Sequence, residues 1–93
     1  MQLEYDRPYR LTQTCHVSPL NEQGSIASAF HDTTLDAGTR FVVKGYHHEG
    51  EYSKRLAEKK LNPYFYDIVV AESGKGYVVQ AHVLEQRYEP IPD

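Results

Sequence analysis

The stretch from Tyr64 to Leu84, YFYDIVVAESGKGYVVQAHVL, has two segments rich in aromatic and β-branched residues around a glycine-containing connection. Such residues favour strands, which predicts one strand over Tyr64–Ala71 and another over Tyr77–Leu84 that bends near Ala81. Glu72–Gly76 (ESGKG) is typical of a hairpin turn in which glycines take positive φ. The stretch therefore predicts an antiparallel hairpin within a β-rich fold.

Two segments upstream of the hairpin alternate apolar and polar residues, as strands with one buried face do. Thr39–Tyr46 (TRFVVKGY) places Phe41 and Val43 on one face, and the turn-forming run Leu35–Gly38 (LDAG) precedes it. Arg7–Val17 (RPYRLTQTCHV) alternates over its whole length, which predicts one continuous strand.

The same alternation predicts which side chains form the core. Those expected inside are Phe41, Val43, Ile68, Val70, Tyr77, Val79 and Leu84. Asn21–Gly24 is expected to turn, whereas Gly24–Phe30 (GSIASAF) fits a short helix and a short strand equally well. Pro90 and Pro92 are expected to end the regular structure.

One segment predicts a helix inserted between two strands. Glu51–Leu61 (EYSKRLAEKKL) consists largely of good helix formers, and Asn62-Pro63 ends it because the residue before a proline disfavours the α conformation. Opposite-charge pairs with four-residue spacing support this helix, namely Glu51 with Arg55 and Lys54 with Glu58. The predicted fold is mostly β: a small antiparallel barrel with one short inserted helix, formed as a single domain over residues 1–93.

Length and composition limit the class of protein. A chain of 93 residues with 40% hydrophobic and 25% charged residues is ordinary for one globular domain. Cys15 is the only cysteine, so no internal disulfide is expected. Met1–Arg10 lacks the apolar core of a signal peptide, and no run approaches the roughly 20 apolar residues that span a bilayer. We therefore expect a cytoplasmic protein with no membrane partner.

The order of these segments resembles that of SH3-like domains. Leu35–Val43 looks like the diverging turn and the strand after it, and Gly76–Val78 followed by Val83-Leu84 looks like the closing strand, short helical turn and final strand. The resemblance implies a barrel, with Val17–Thr34 as the long RT-type loop and His47–Pro63 as an enlarged loop that carries the helix.

The residues that make a proline-peptide groove in SH3 domains are missing. The chain has no tryptophan, Val79 stands where the groove proline is expected, and His82 stands near the position of the groove tyrosine. The resemblance therefore implies a fold and does not imply recognition of polyproline II peptides.

No group of side chains in the sequence predicts catalysis or metal binding. His47-His48 lies close to Glu49 and Glu51, but no H-x-x-x-H spacing occurs, and a solvated loop is the expected interpretation. Cys15 is expected to be a small buried hydrophobe, because no nucleophile motif surrounds it. We therefore expect no metal, no cofactor and no enzymatic activity.

Binding remains as the expected function. The first interpretation is a small protein-binding module: an adaptor, or a regulator or inhibitor of a larger protein assembly, analogous in size to phage-encoded inhibitors of host machinery. The alternative is a nucleic-acid-binding small barrel, which the net charge of −3 disfavours. Recognition is expected within Tyr46–Tyr66, the part that a minimal barrel does not need. The candidate binding residues are Tyr46, Tyr52, Lys54, Arg55, Lys59, Lys60, Tyr64 and Tyr66.

Overall fold

A computed structural model describes residues 3–20 and 33–92. These residues form seven strands and two helices. In chain order they are β1 (Tyr9–Leu11), β2 (Cys15–Pro19), β3 (Thr33–Leu35), β4 (Arg40–His47), α1 (Gly50–Glu58), β5 (Phe65–Val70), β6 (Gly76–Gln80), α2 (Ala81–Leu84) and β7 (Tyr88–Pro90). The turn predicted at Asn21–Gly24 and the segment Gly24–Phe30 lie outside the described residues.

The strands form one antiparallel sheet, in the order β3-β2-β6-β5-β4-β1-β7, that curls into a half-barrel. At its centre, Phe41 of β4 pairs with Val70 of β5, and Ile68 of β5 pairs with Tyr77 of β6. Gly74, in the turn between β5 and β6, has a φ of 70°. The mostly-β prediction and the hairpin predicted near the C-terminus are confirmed.

The strand predicted over Arg7–Val17 is two strands, and the prediction of a single strand is wrong. β1 pairs with β4 and β7, whereas β2 pairs with β3 and β6, on the other side of the sheet. The chain bends at Thr12-Gln13 to join them. Leu11 and Cys15, on either side of the bend, are both buried in the same core, whereas the three residues between them are exposed.

The C-terminal segment also departs from the prediction. The strand expected over Tyr77–Leu84 ends at Gln80, and α2 follows as a second, short helix. β7, which was not predicted, then follows and ends at Pro90, in agreement with the expectation that Pro90 ends the regular structure. Proline is tolerated there because β7 is an edge strand, on which a missing backbone donor breaks no interior ladder.

A β-bulge in β4 changes which side chains face the core. Val43 pairs with Ile68 and Gly45 pairs with Asp67, so Lys44 is one extra residue on β4. The alternation shifts after this residue, and Tyr46 joins the core-facing side chains. A strict two-residue period counted from Val43 would instead place Tyr46 on the face away from the core.

The sheet carries apolar side chains on both faces. The main core lies inside the curl and contains all the residues predicted for it except Val70, which is buried outside that cluster, and Tyr77, which is partly buried at its margin. A second cluster lies on the other face, where Leu56 of α1 packs with Phe65 and Val78. The helix therefore covers the outside of the sheet.

Candidate functional site

The candidate binding residues fall on opposite faces of the sheet. Tyr46, Tyr64 and Tyr66 lie with the main core, whereas the remaining five belong to α1 or to the residues just after it. Tyr66 is 0% exposed, and its hydroxyl accepts a hydrogen bond of 3.1 Å from the backbone N–H of Leu3. Burial raises the pKa of Tyr66 to about 12. Tyr66 is therefore a core residue whose side chain is not on the surface.

Tyr46 and Tyr64 form a partly buried aromatic stack against the main core. Their ring centroids are 4.4 Å apart and their planes differ by 8°, while His48 packs edge-on against Tyr64 at 4.2 Å. Asn62 holds the stack in place: its side-chain amide donates to the Tyr46 hydroxyl at 3.3 Å, and its side-chain oxygen accepts from the Tyr64 N–H at 3.0 Å. These contacts join the end of β4 to the start of β5, which gives both tyrosines a structural role.

Helix α1 presents three of the candidate residues along one side. Ser53 and Leu56 are its buried residues and define the side that faces the sheet. Tyr52, Arg55 and Lys59 stand at i, i+3 and i+7, within an arc of roughly 60° beside the buried side. We call these three residues the α1 flank. Tyr52 is 42% exposed, and Arg55 and Lys59 are also exposed.

The cations of α1 lack the carboxylate partners that the sequence predicts for them. Five ion pairs occur among residues 3–20 and 33–92, and none involves Arg55, Lys54 or Lys59. The predicted pairs Glu51–Arg55 and Lys54–Glu58 are therefore not formed. Lys54 lies roughly 200° around the helix from Tyr52, on a different side from the α1 flank.

The C-terminal end of α1 is fixed by its backbone. Lys60 donates its N–H to the Ala57 carbonyl at 3.0 Å, and Leu61 donates to the Leu56 carbonyl at 3.0 Å. This is a Schellman motif, in which the residue at the Lys60 position takes the left-handed conformation, here with a φ of 61°. The helix ends at Glu58, three residues before the predicted Leu61.

The contacts of His47 were not predicted from the sequence, which places this residue in a solvated loop. Its Nε2 lies 2.8 Å from Asp67 Oδ1, and its Nδ1 lies 2.9 Å from Glu49 Oε1 and 3.3 Å from the His48 carbonyl oxygen. Desolvation acts to lower the pKa of His47, but the hydrogen bonds to Asp67 and His48 and the charges of Asp67 and Glu49 outweigh it and raise the pKa.

The histidine and cysteine side chains are the candidates for a metal-binding group and for a reactive thiol. Within the described ranges, no three His, Cys, Asp or Glu side chains are arranged to hold a metal ion. At His47, the two carboxylates contact opposite nitrogens of the ring. Cys15 is 0% exposed in the main core, and burial raises the pKa of its thiol despite the nearby Arg87 guanidinium. The expectation of a small buried hydrophobe at this position is confirmed.

An open groove of about 430 Å³ lies at one end of the half-barrel. It runs between the turn after β3 and the β5–β6 hairpin, with Asp36 and Glu72 among its lining residues and Tyr77 at its edge. Both carboxylate side chains are exposed, so water solvates them. Among the described residues that line the groove, no buried polar group marks a ligand.

No protein-family model, curated protein or solved structure matches the chain. Among the described helices, none has the length and apolar character needed to cross a membrane.

Proposed function

We propose that this chain is a small protein-binding module that contacts its partner through the α1 flank. The observation that supports the proposal is an exposed tyrosine beside two exposed cations, Arg55 and Lys59, that have no carboxylate partner among the described residues. Tyrosine and arginine are the residue types that most often anchor protein interfaces. The other tyrosines of the predicted set serve the fold, which leaves Tyr52 as the aromatic anchor.

The flank is presented on a rigid helix. Leu56 is 6% exposed and packs on Phe65, which is 0% exposed. At the start of α1, the Glu49 N–H donates to the hydroxyl of the buried Ser53 at 2.7 Å. A surface that is already ordered loses little conformational entropy on binding, so a small set of anchors suffices for a specific interaction.

Charge complementarity indicates the chemistry of the partner. The chain has a net charge of −3, yet the α1 flank is locally cationic. The partner surface that fits it carries carboxylates around an apolar patch that receives the Tyr52 ring. An adaptor, or a regulator or inhibitor of a larger assembly, acts through a contact of this kind.

Capture from a lysate of the source cells, after nuclease treatment, tests the proposal with single substitutions on two sides of one helix. Tyr52→Ala and Arg55→Ala are expected to reduce capture of the partner at least tenfold. Lys54→Ala removes a cation from the other side of α1 and is expected to leave capture within about twofold. Circular dichroism confirms that each variant is folded. Equal capture by Arg55→Ala and the unaltered chain contradicts the proposal.

Nucleic acid is the second candidate partner, favoured by the same exposed cations, which form no ion pair within residues 3–20 and 33–92. A polyanion responds to the total local charge, so Lys54→Ala and Lys60→Ala are then expected to weaken binding as much as Arg55→Ala does. Affinity is also expected to fall steeply with salt, with a slope that decreases by about one for each phosphate contact removed. Loss of the captured partner on nuclease treatment supports this candidate and contradicts the protein partner.

A further inference from the structure

The surroundings of the His47 ring determine its protonation. Nε2 faces a carboxylate oxygen of Asp67, and Nδ1 faces a carboxylate oxygen of Glu49 and the His48 carbonyl. All of these atoms are acceptors. Both ring nitrogens must carry a proton to satisfy them, so the geometry requires an imidazolium.

Loss of one proton cannot preserve both contacts. A neutral imidazole has one N–H and one bare lone pair, and that lone pair then faces a carboxylate oxygen at less than 3 Å. The result is repulsion in place of a charge-assisted hydrogen bond. One of the two carboxylates must therefore move away when His47 becomes neutral.

The two carboxylates differ in how firmly they are held. Asp67 lies within β5, between its partners Gly45 on β4 and Val78 on β6. Its side chain lies over Gly45, where a Cβ atom would come within 2.7 Å of Oδ2. Glu49 lies in the connection just before α1 and has no strand partner. Glu49 is thus the carboxylate that is free to move.

Backbone hydrogen bonds of Glu49 connect it to the first turn of α1, so movement of Glu49 affects the α1 flank. The Glu49 carbonyl accepts a hydrogen bond of 3.0 Å from the Tyr52 N–H, and the Glu49 N–H donates to Ser53 Oγ. The side chain of Glu49 makes no capping bond to the helix, because it turns towards His47 instead. A change at this one residue therefore alters the first turn of α1, from which Tyr52 projects.

We propose that His47 is a protonation-dependent latch: its imidazolium ties the first turn of α1 to β5, and its neutral form releases Glu49 and shifts Tyr52. This regulation rests on the proposed function, since the α1 flank is the binding surface. The charged groups that face the imidazole from packed elements are Asp67 on β5 and Glu49 before α1. The pKa of His47 is raised from 6.5 by these neighbours, which brings the release towards neutral pH.

Nuclear magnetic resonance of the full chain tests the latch without any partner. The His47 ring and the backbone amides of Tyr52 and Ser53 are followed over a titration from about pH 5.5 to pH 8.5. We expect the two amides to titrate with the midpoint of the His47 ring. His47→Gln is expected to abolish that titration, and His48→Gln, which changes the neighbouring histidine, is expected to keep it.

Glu49→Gln gives a second, independent readout if His47→Gln does not fold. In this variant the His47 ring should still titrate, with a midpoint shifted towards 6.5, while the Tyr52 amide shift no longer follows it. The latch is overturned if the Tyr52 and Ser53 amides do not titrate with His47 in the unaltered chain, or if they titrate equally in both Glu49→Gln and His47→Gln. Neither result bears on the capture experiment, so failure of the latch and failure of the proposed function are distinguishable.

Discussion

Gly45 shows how one missing methyl group positions a charged side chain. A Cβ at this position would lie 2.7 Å from Oδ2 of Asp67 and 3.3 Å from its Cβ. Gly45→Ala is therefore expected to displace the Asp67 carboxylate, lengthen its contact with His47 and lower the pKa of His47 towards 6.5. A ring titration by nuclear magnetic resonance measures this shift.

A double-mutant comparison separates this effect from general strain. In an Asp67→Asn background the carboxylate charge is already absent, so adding Gly45→Ala should change the His47 pKa much less than it does in the unaltered chain. An equal pKa shift in both backgrounds shows that Gly45→Ala acts by another route.

The raised pKa of His47 also predicts how stability depends on pH. A group whose pKa is higher in the folded than in the unfolded chain stabilises the fold fully below its unfolded pKa, and this stabilisation is lost as pH rises through the folded pKa. The free energy of unfolding, measured in urea, should therefore decrease between about pH 6 and about pH 8 in the unaltered chain. The decrease should be smaller in His47→Gln. The His47 side chain is 34% exposed, so solvent screening keeps the difference small. A pH dependence unchanged by His47→Gln contradicts the prediction.

At the scale of elements, α1 is more than an insert carried by a barrel. Its Leu56 covers Phe65 and Val78, which are 0% and 1% exposed. The Tyr46–Tyr66 segment was expected to be dispensable for a minimal barrel, yet it supplies the aromatic stack on one face and Leu56 and Phe65 on the other. We therefore expect that removing the segment would destabilise the fold. The side of α1 that carries Tyr52, Arg55 and Lys59 is exposed, and it is the surface that we propose for recognition.

The end of α1 contains a conformation that lysine adopts at a cost. Lys60 has a φ of 61°, a region in which glycine avoids the clash of Cβ with the backbone. Lys60→Gly is expected to raise the free energy of unfolding by up to about 1 kcal/mol, measured by urea unfolding. Lys60→Ala removes the same charge but keeps the Cβ, so it should give no such gain. Equal stabilisation by both variants attributes the effect to charge and contradicts the conformational explanation.

At the scale of the whole molecule, the sequence predicts the strands and the helix that follow from local patterns of residues. It does not predict the features that depend on which strands pair. Local patterns place both bounds of β4 and β5, and the start of β6, within one residue of those observed, but they extend β6 four residues too far. Local composition finds α1. The split of Arg7–Val17 and the bulge at Lys44 follow from which strands pair, which no local pattern contains. His47 meets Asp67 across 20 residues for the same reason. The bulge also turns Tyr46 towards the core, which a strict two-residue alternation does not predict.

The shared second cluster predicts that α1 and the sheet unfold as one cooperative unit. Native-state hydrogen exchange should give the Leu56 and Ala57 amides of α1 the same opening free energy as the Ile68 amide of β5, because the helix cannot leave without exposing Phe65. Leu56→Ala should lower all of these values together, by about 2–5 kcal/mol. Lys54→Ala, an exposed position on the same helix, should leave them within about 0.5 kcal/mol. If Leu56→Ala lowers only the helix values, α1 opens on its own, and the α1 flank is then presented by a locally unfolding element instead of a rigid one.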